Sequence, residues 1–367
     1  MDKKEMKLAL KNIESAIKNV EKKNFKLLFF VADSKGAPVG SLAYTYELAY
    51  RLKELGYKVQ MLYAENDFVG VKDWLGEKYA NLPHFNSQKD NIDVSPSDFL
   101  FIPELFSNVM AKTKPLPCKK IAILQSFNYL TELIPLGSSW ESLGVRDCIT
   151  TSKSMEERLK EIFPSTKTYV IRPSIDGVFS QPKKAKLIVN IISKDENDIN
   201  RVVKPFKWRY PIYDFVTFRY INGRSRDEEA QYLREGAISI WIDDKTDFGY
   251  TALEAMASGN IVIGKIPENT PEWMLDKDGE LIDNGVWFYK MRELPGLLSS
   301  VIQTLLYDKI PQGLYENMEE TVSNYTEEKQ LEDIKTVLEE VFETREKELH
   351  LMADALKNNL NEDTKKD

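Results

Sequence analysis

The sequence predicts an α/β protein built of two doubly wound domains in series that face each other across a cleft. Three observations carry this. A short, continuous apolar run followed by a glycine-bearing loop and a helix occurs near the start and again past the midpoint, at Phe25–Ala32 and Phe215–Tyr220. The chain has 367 residues, 42% of them hydrophobic, which is long for one core and comfortable for two. Between the two series lies Ser180–Lys186, with one proline and three lysines, which reads as a linker. The boundaries that follow are residues 1–180, residues 181–345 and a charged tail, 346–367, with the last helices returning to the first domain.

The elements follow in order. Residues 1–23 place Met6, Leu10, Ile13, Ile17 and Val20 at helical spacing among seven lysines, which gives an amphipathic helix. It reads as a helix packed on the first domain; contact with a membrane surface is the sharper alternative, weakened by four acidic residues in the same stretch. Phe25–Ala32 is a buried strand. Asp33–Ser41 is a loop with Gly36, Pro38 and Gly40, Leu42–Leu55 is a helix stopped by Gly56, and Lys58–Tyr63 is the next strand. Strands follow at Phe99–Ile102, Lys120–Leu124 and Asp147–Thr151, with a helix over Ser154–Ile162. The second domain opens on the strand Leu187–Ser193 and reads 194–204 as a charged loop. Phe215–Tyr220 is a strand. Ser225–Glu235 is a helix whose Ser225 and Glu228 form a capping box. Ala237–Ile242 and Ile261–Ile266 are strands around a short helix, and Pro295–Leu306 and Tyr325–Val341 are helices.

Composition narrows the function. Net charge is −8, from 50 basic and 58 acidic residues, which argues against a general nucleic-acid binder. Two cysteines, Cys118 and Cys148, without paired spacing fit a reducing compartment and exclude a disulfide framework or a Cys-rich zinc site. The two histidines, His84 and His350, are far apart, which disfavours a His-cluster metal centre. With no apolar run of membrane-spanning length and no secretory signal, the reading is a cytoplasmic protein that needs no cofactor and no metal.

The most informative stretch is Asp247–Trp273. It reads as a loop, a helix opening at Gly249–Thr251, a stop at Gly259 and a buried strand. Backbone N–H groups at a helix opening are unpaired and the helix dipole favours negative charge there, so such openings bind phosphate. Phe248-Gly249, Glu254-Ala255-Met256-Ala257-Ser258-Gly259 and Pro271-Glu272 resemble the nucleotide-sugar site of GT-B glycosyltransferases, especially the large retaining family of group 1, or family-four-like, enzymes. That family carries a Glu, seven residues and a second Glu. Glu254 matches the second, whereas the first position is Thr246, with Asp247 beside it. Tyr169–Phe179 resembles the family element that closes the first domain.

The resemblance implies two Rossmann-like domains, the first on the acceptor side and the second on the nucleotide-sugar side. It implies a transferase that moves a sugar from a nucleotide-diphosphate donor to a saccharide or lipid-linked acceptor, a retaining one in polysaccharide biosynthesis by its kinship. Glu254 would hold the donor ribose; its competing reading is a capping box with Thr251. Asp247 and Glu254 are the catalytic candidates. Gly40, Lys194, Arg201, Gly223, Phe248, Gly249, Tyr250 and Thr251 join Glu254 as donor-binding candidates, with Lys204 in reserve as a diphosphate cation. Asp243 and Asp244 read as solvated loop residues or, with Asp247, as ligands for a divalent ion. Gln125, Asn128 and Glu104 follow first-domain strands, where open α/β sheets place ligands. The alternatives are a non-catalytic nucleotide-sugar-binding partner of a glycosyltransferase, and another GT-B enzyme such as an inverting transferase or an epimerase.

Overall fold

The computed structural model describes residues 3–181 and 186–363. Strand-forming segments rich in Leu, Ile, Val and Phe assemble two all-parallel sheets. The first contains β1 (Lys26–Phe30), β2 (Lys58–Tyr63), β3 (His84–Asn86), β4 (Phe99–Pro103), β5 (Lys119–Leu124), β6 (Asp147–Thr150) and β7 (Lys167–Val170), in the order β3-β2-β1-β4-β5-β6-β7. The second contains β8 (Lys186–Ser193), β9 (Thr217–Ile221), β10 (Gly236–Ile242), β11 (Ile261–Lys265) and β12 (Val286–Phe288), in the order β12-β11-β10-β8-β9.

Parallel strands are covered on both faces, so their side chains are apolar on both. In β1, Leu27 and Phe29 enter one core while Leu28 and Phe30 enter the other. In β10, Ile238, Ile240 and Ile242 pack on one face and Trp241 on the opposite one. The covering helices of the first half are α1 (Lys3–Glu21), α2 (Gly40–Glu54), the short α3 (Lys72–Leu75) and α4 (Glu77–Ala80), α5 (Ser107–Thr113), α6 (Phe127–Leu133) and α7 (Lys153–Ile162). Those around the second sheet are α8 (Asn197–Arg209), α9 (Arg226–Glu235), α10 (Tyr250–Ala257), α11 (Leu294–Leu306) and α12 (Gln312–Ser323).

The chain ends on α13 (Glu327–Asp363), a helix of 37 residues that returns to the first sheet. Its Ile334, Val337, Leu338, Val341 and Phe342 share a core with Ile17 and Val20 of α1 and with β1. Phe342 meets Phe25 at 4.7 Å and Phe99 at 5.1 Å between ring centroids. Buried Arg345 donates to the carbonyls of Pro96 and Pro117, both at 2.8 Å. The apolar face of α1 is thus packed against protein, with Met6, Ala16, Ile17 and Val20 buried.

Two local readings change. The segment read as a charged loop after β8 becomes helix α8 from Asn197 onward. Val202 and Phe206 are its buried positions, and the helix tolerates Pro205 in its interior. Its apolar residues at helical spacing were masked by the surrounding charges. Beyond residue 346, where the sequence suggests a charged tail, the helix continues to Asp363 and buries Leu349 and Ala353. Of the linker at 180–186, residues 182–185 lie outside the described residues.

Phe342→Ala should lower the stability of the whole chain by about 3–5 kcal/mol, the usual cost of emptying a buried aromatic site. Chemical denaturation followed by circular dichroism measures it.

Candidate functional site

Both sheets reverse strand order beside their first strand, with β2 and β4 flanking β1, and β9 and β10 flanking β8. Open α/β sheets place ligands at the carboxyl ends of the strands at such a point. The loops after β1, β8, β9 and β10 accordingly meet at one cavity. From the first half it is lined by Pro38, Val39, Gly40, Ala43 and Trp74. From the second half come Lys194, Asn222, Gly223, Arg224, Arg226, Glu229, Asp243, Tyr250, Thr251 and Glu254.

Helix α10 opens on this cavity. Its N-cap is Gly249, in the left-handed region at φ 79°, with no side-chain cap. Only glycine fits there. A Cβ would fall 2.8 Å from the Trp241 ring and 3.2 Å from that of Trp273. The Trp273 indole N–H donates to the Phe248 carbonyl at 2.6 Å, and Phe248 packs edge-on to Tyr250 and Tyr325. Phe248 and Gly249 therefore build the mouth of the helix from beneath and do not line the cavity. Thr246 spends its hydroxyl inside this loop by accepting from the Gly249 N–H at 2.9 Å. The Thr251–Glu254 capping box does not form, because the helix begins two residues earlier than that box requires. Ser225 and Glu228 do form theirs, at the start of α9.

Glu254 is buried and faces the cavity. Burial, then the neighbouring Glu229 charge, push its carboxyl well above the usual carboxylate range, while Arg226 opposes the shift. Arg226 bridges the halves. Its guanidinium donates to Glu47 at 3.3 Å and to Asp176 at 3.2 Å. Glu47 sits on α2, so this pair ties the first half to α9.

The other candidates divide. Lys194 lines the cavity and pairs with Asp243 at 2.9 Å. Arg201 lies on α8, exposed and bound to Asp195 and Asp198 at 2.9 Å each, outside the cavity lining. Lys204 shares that exposed helix. Asp243, Asp244 and Asp247 do not converge on a cation. Asp243 takes Lys194, Asp244 takes Lys265, and Asp247 turns to the first half. Among the described residues, Glu21, Glu346 and His350 on α1 and α13 are the side chains grouped closely enough to share an ion. His84 is held by Tyr46 and the Leu82 carbonyl.

Asp247 is buried and outside the cavity lining. Its Oδ2 accepts the N–H of Phe127, the first residue of α6, at 2.9 Å, and its Oδ1 accepts from Asn269 at 2.8 Å. Glu104 accepts the preceding N–H, of Ser126, at 2.9 Å, and burial pushes its carboxyl up to about 8. Asn128 donates to the Lys245 carbonyl at 2.9 Å, whereas Gln125 bonds within the first half to Ser41. Glu272 repeats the pattern by accepting the Lys153 and Ser154 N–H groups at the start of α7, at 2.9 and 3.2 Å. Two carboxylates of the second half thus cap two helices of the first.

Arg224, Arg226 and Glu229 were missed from the sequence. The signal was present: they flank the Ser225 capping box just after Asn222-Gly223, where the helix mouth must face the same way as that of α10.

No family model matches the sequence. A curated α-1,6-glucosyltransferase of Actinobacillus pleuropneumoniae serotype 7 is 27% identical over 174 residues, or 45% of this chain. The match takes in 52% of that protein, so the chain spans about half the length of the curated relative. Among solved structures, the pneumococcal O-GlcNAc transferase GtfA in complex with UDP and GlcNAc superposes with a TM-score of 0.62 at 11% identity. It covers 86% of this chain and 99% of its own. A TarM mutant of S. aureus, in a complex that includes UDP, gives 0.63 at 8% identity over 84% and 98%. HepE of Anabaena in complex with UDP-glucose gives 0.59 at 12% identity over 86% and 99%. These likenesses establish the fold as GT-B, the architecture of two Rossmann-like halves facing a cleft that glycosyltransferases use. Among the described residues no helix is long and apolar enough to cross a membrane.

Removing both seam carboxylates, Asp247→Ala with Glu272→Ala, should loosen the closed cleft. Each cap contributes up to about 2 kcal/mol in a partly buried setting. Small-angle scattering should show a larger radius of gyration than the parent at equal melting behaviour of each half.

Proposed function

We propose that the protein is a glycosyltransferase that moves a sugar from a nucleotide-diphosphate donor to a saccharide or lipid-linked acceptor. Residues 181–345 hold the donor and residues 1–180 present the acceptor. The observation that carries this reading is the cavity at the mouth of α10. It combines an uncapped helix N-terminus, a buried carboxylate in Glu254, and the cations Lys194, Arg224 and Arg226 in one GT-B cleft. The UDP and UDP-glucose held by the GtfA and HepE structures, and the glucosyl transfer of the curated relative, support a uridine donor with glucose or a close relative of it.

The chemistry follows from charge. Breaking the anomeric C–O bond leaves negative charge on the departing diphosphate. The Tyr250 and Thr251 N–H groups, with the helix dipole behind them, are preorganised for that charge and require no metal. Lys194, at the end of β8 and paired with Asp243, supplies a cation that lines the cavity on the same side. Arg201 does not join it, because its guanidinium is spent on Asp195 and Asp198. Glu254 receives the ribose hydroxyls as hydrogen-bond acceptor. Asp247 acts through position: by capping α6 it brings the acceptor half against the donor half. Retention of anomeric configuration is the expected outcome by likeness to the group 1 enzymes. The two unpaired, buried cysteines suit work in the reducing cytoplasm.

Glu254→Ala should weaken UDP binding by about 1–3 kcal/mol, the range for a charged hydrogen-bond partner. Because no capping box exists to be lost, the melting temperature without ligand should fall little or rise. Calorimetric titration with UDP, beside a thermal melt, checks both. Unchanged affinity would remove Glu254 from the donor site.

A further inference from the structure

A second cavity lies at the hinge, where the chain leaves α12 and crosses back through Tyr325 into α13, with Arg172 facing it from the end of the first half. Its volume is about 680 Å³, the size of a small-molecule site. It shares no lining residue with the cavity at the cleft. Trp273 separates the two. Its ring stands 3.2 Å from where a Gly249 Cβ would fall, and it also walls the hinge cavity.

One group there is left unexplained by the fold. Tyr325 is 4% exposed and packs edge-on to Phe248 at 5.3 Å, yet its hydroxyl has no hydrogen bond among the described residues. A buried tyrosine hydroxyl ordinarily has a partner. Burial, then the Glu272 charge, raise the proton affinity of this hydroxyl, so it stays an O–H that can donate. Asn284 repeats the sign. It is fully buried and donates to the Trp273 carbonyl and to Thr321, both walls of the cavity, while its Oδ1 is unpaired.

The chemistry of the walls selects the ligand. Glu272, Asp276, Asp283 and Glu320 line the cavity, and the one lining cation, Arg172, is already paired with Asp333 at 2.7 Å. Anions are therefore repelled. No three of the four carboxylates group closely enough to hold an ion. The Asp283 and Glu320 side chains have no ion pair or hydrogen bond among the described residues. Donors stand among these acceptors, in the Tyr325 hydroxyl and the Asn317 and Asn324 amides, and Trp273, Leu281 and Ile282 give an apolar side. A sugar uses all three features. Each of its hydroxyls donates and accepts, and its C–H face lies against the apolar side.

We propose that the hinge cavity is a binding site for a neutral saccharide, separate from the donor cavity, in which Tyr325 donates to one sugar hydroxyl and Glu320 accepts from another. This inference goes beyond the nucleotide-sugar reading and does not rest on it.

The test is saturation-transfer NMR on the full chain with D-glucose, D-galactose, N-acetyl-D-glucosamine and isomaltose, each at millimolar concentration, with and without excess UDP. At least one sugar should receive saturation, and UDP should not displace it. Calorimetric titration of that sugar should show binding about fivefold weaker in Tyr325→Phe, the value of one hydrogen bond, and about tenfold weaker in Glu320→Ala, where a charged acceptor is lost. Tyr325→Phe should melt at the parent's temperature or above, because no internal hydrogen bond goes with the hydroxyl. Glu320 is exposed on α12, so its variant carries the test if the phenylalanine variant does not fold. No saturation of any of the four sugars, displacement by UDP, or affinities unchanged in both variants overturns the proposal. A chain that binds the sugar and no UDP keeps it and removes the donor reading alone.

Discussion

The cleft depends on carboxylates of one half capping helices of the other. A helix start presents N–H groups that nothing within the helix can satisfy, and burying them unpaired is costly. In this chain the starts of α6 and α7 lie at the seam, and Asp247 and Glu272 satisfy them from the second half. Arg226 adds a third tie, to Glu47 and Asp176. The cavity has walls from both sheets, so it exists only while these contacts hold. This also explains why Asp247, the nearest carboxylate to the position of the missing family Glu, is not turned into the cavity.

The second constraint is packing beneath the helix mouth. The rings of Trp241 and Trp273, tilted 44° to each other, lie under Gly249, and the Trp273 N–H fixes the Phe248 carbonyl. These contacts leave no room for a side chain and force the left-handed turn that starts α10. The backbone N–H groups of the first turn are thereby aimed at the cleft by an aromatic platform. Thr246 serves the same turn through its hydroxyl. The residue that breaks the family pattern thus has a structural task in the loop, and any carboxylate needed near the transferred sugar must come from elsewhere.

Much of the fold was legible because buried parallel strands are short apolar runs, and those runs are conspicuous here. Lys58–Tyr63 and Asp147–Thr150 appear almost as read. Helix α8 was not, since its apolar positions sit among Lys, Arg and Asp and a proline interrupts it. At the site, the helix mouth at Gly249 and the place of Glu254 beside it followed from local pattern, whereas the burial of Glu254 did not. Arg201 did not reach the cavity because side-chain partners three and six residues back captured it. Arg226 and Glu229 had a local sign in the Ser225 capping box after Asn222-Gly223, but that α9 lies beside α10 at the cavity is a fact of strand order.

Hydrogen exchange of the full chain with and without UDP tests the central claim, that the nucleotide sits where α9 and α10 open onto the cleft. The account predicts that UDP slows exchange in two separated segments, 222–229 and 249–254, with lesser slowing at the capped starts of α6 and α7. Binding that protects other segments and leaves these two unchanged, or no binding at all, would contradict it.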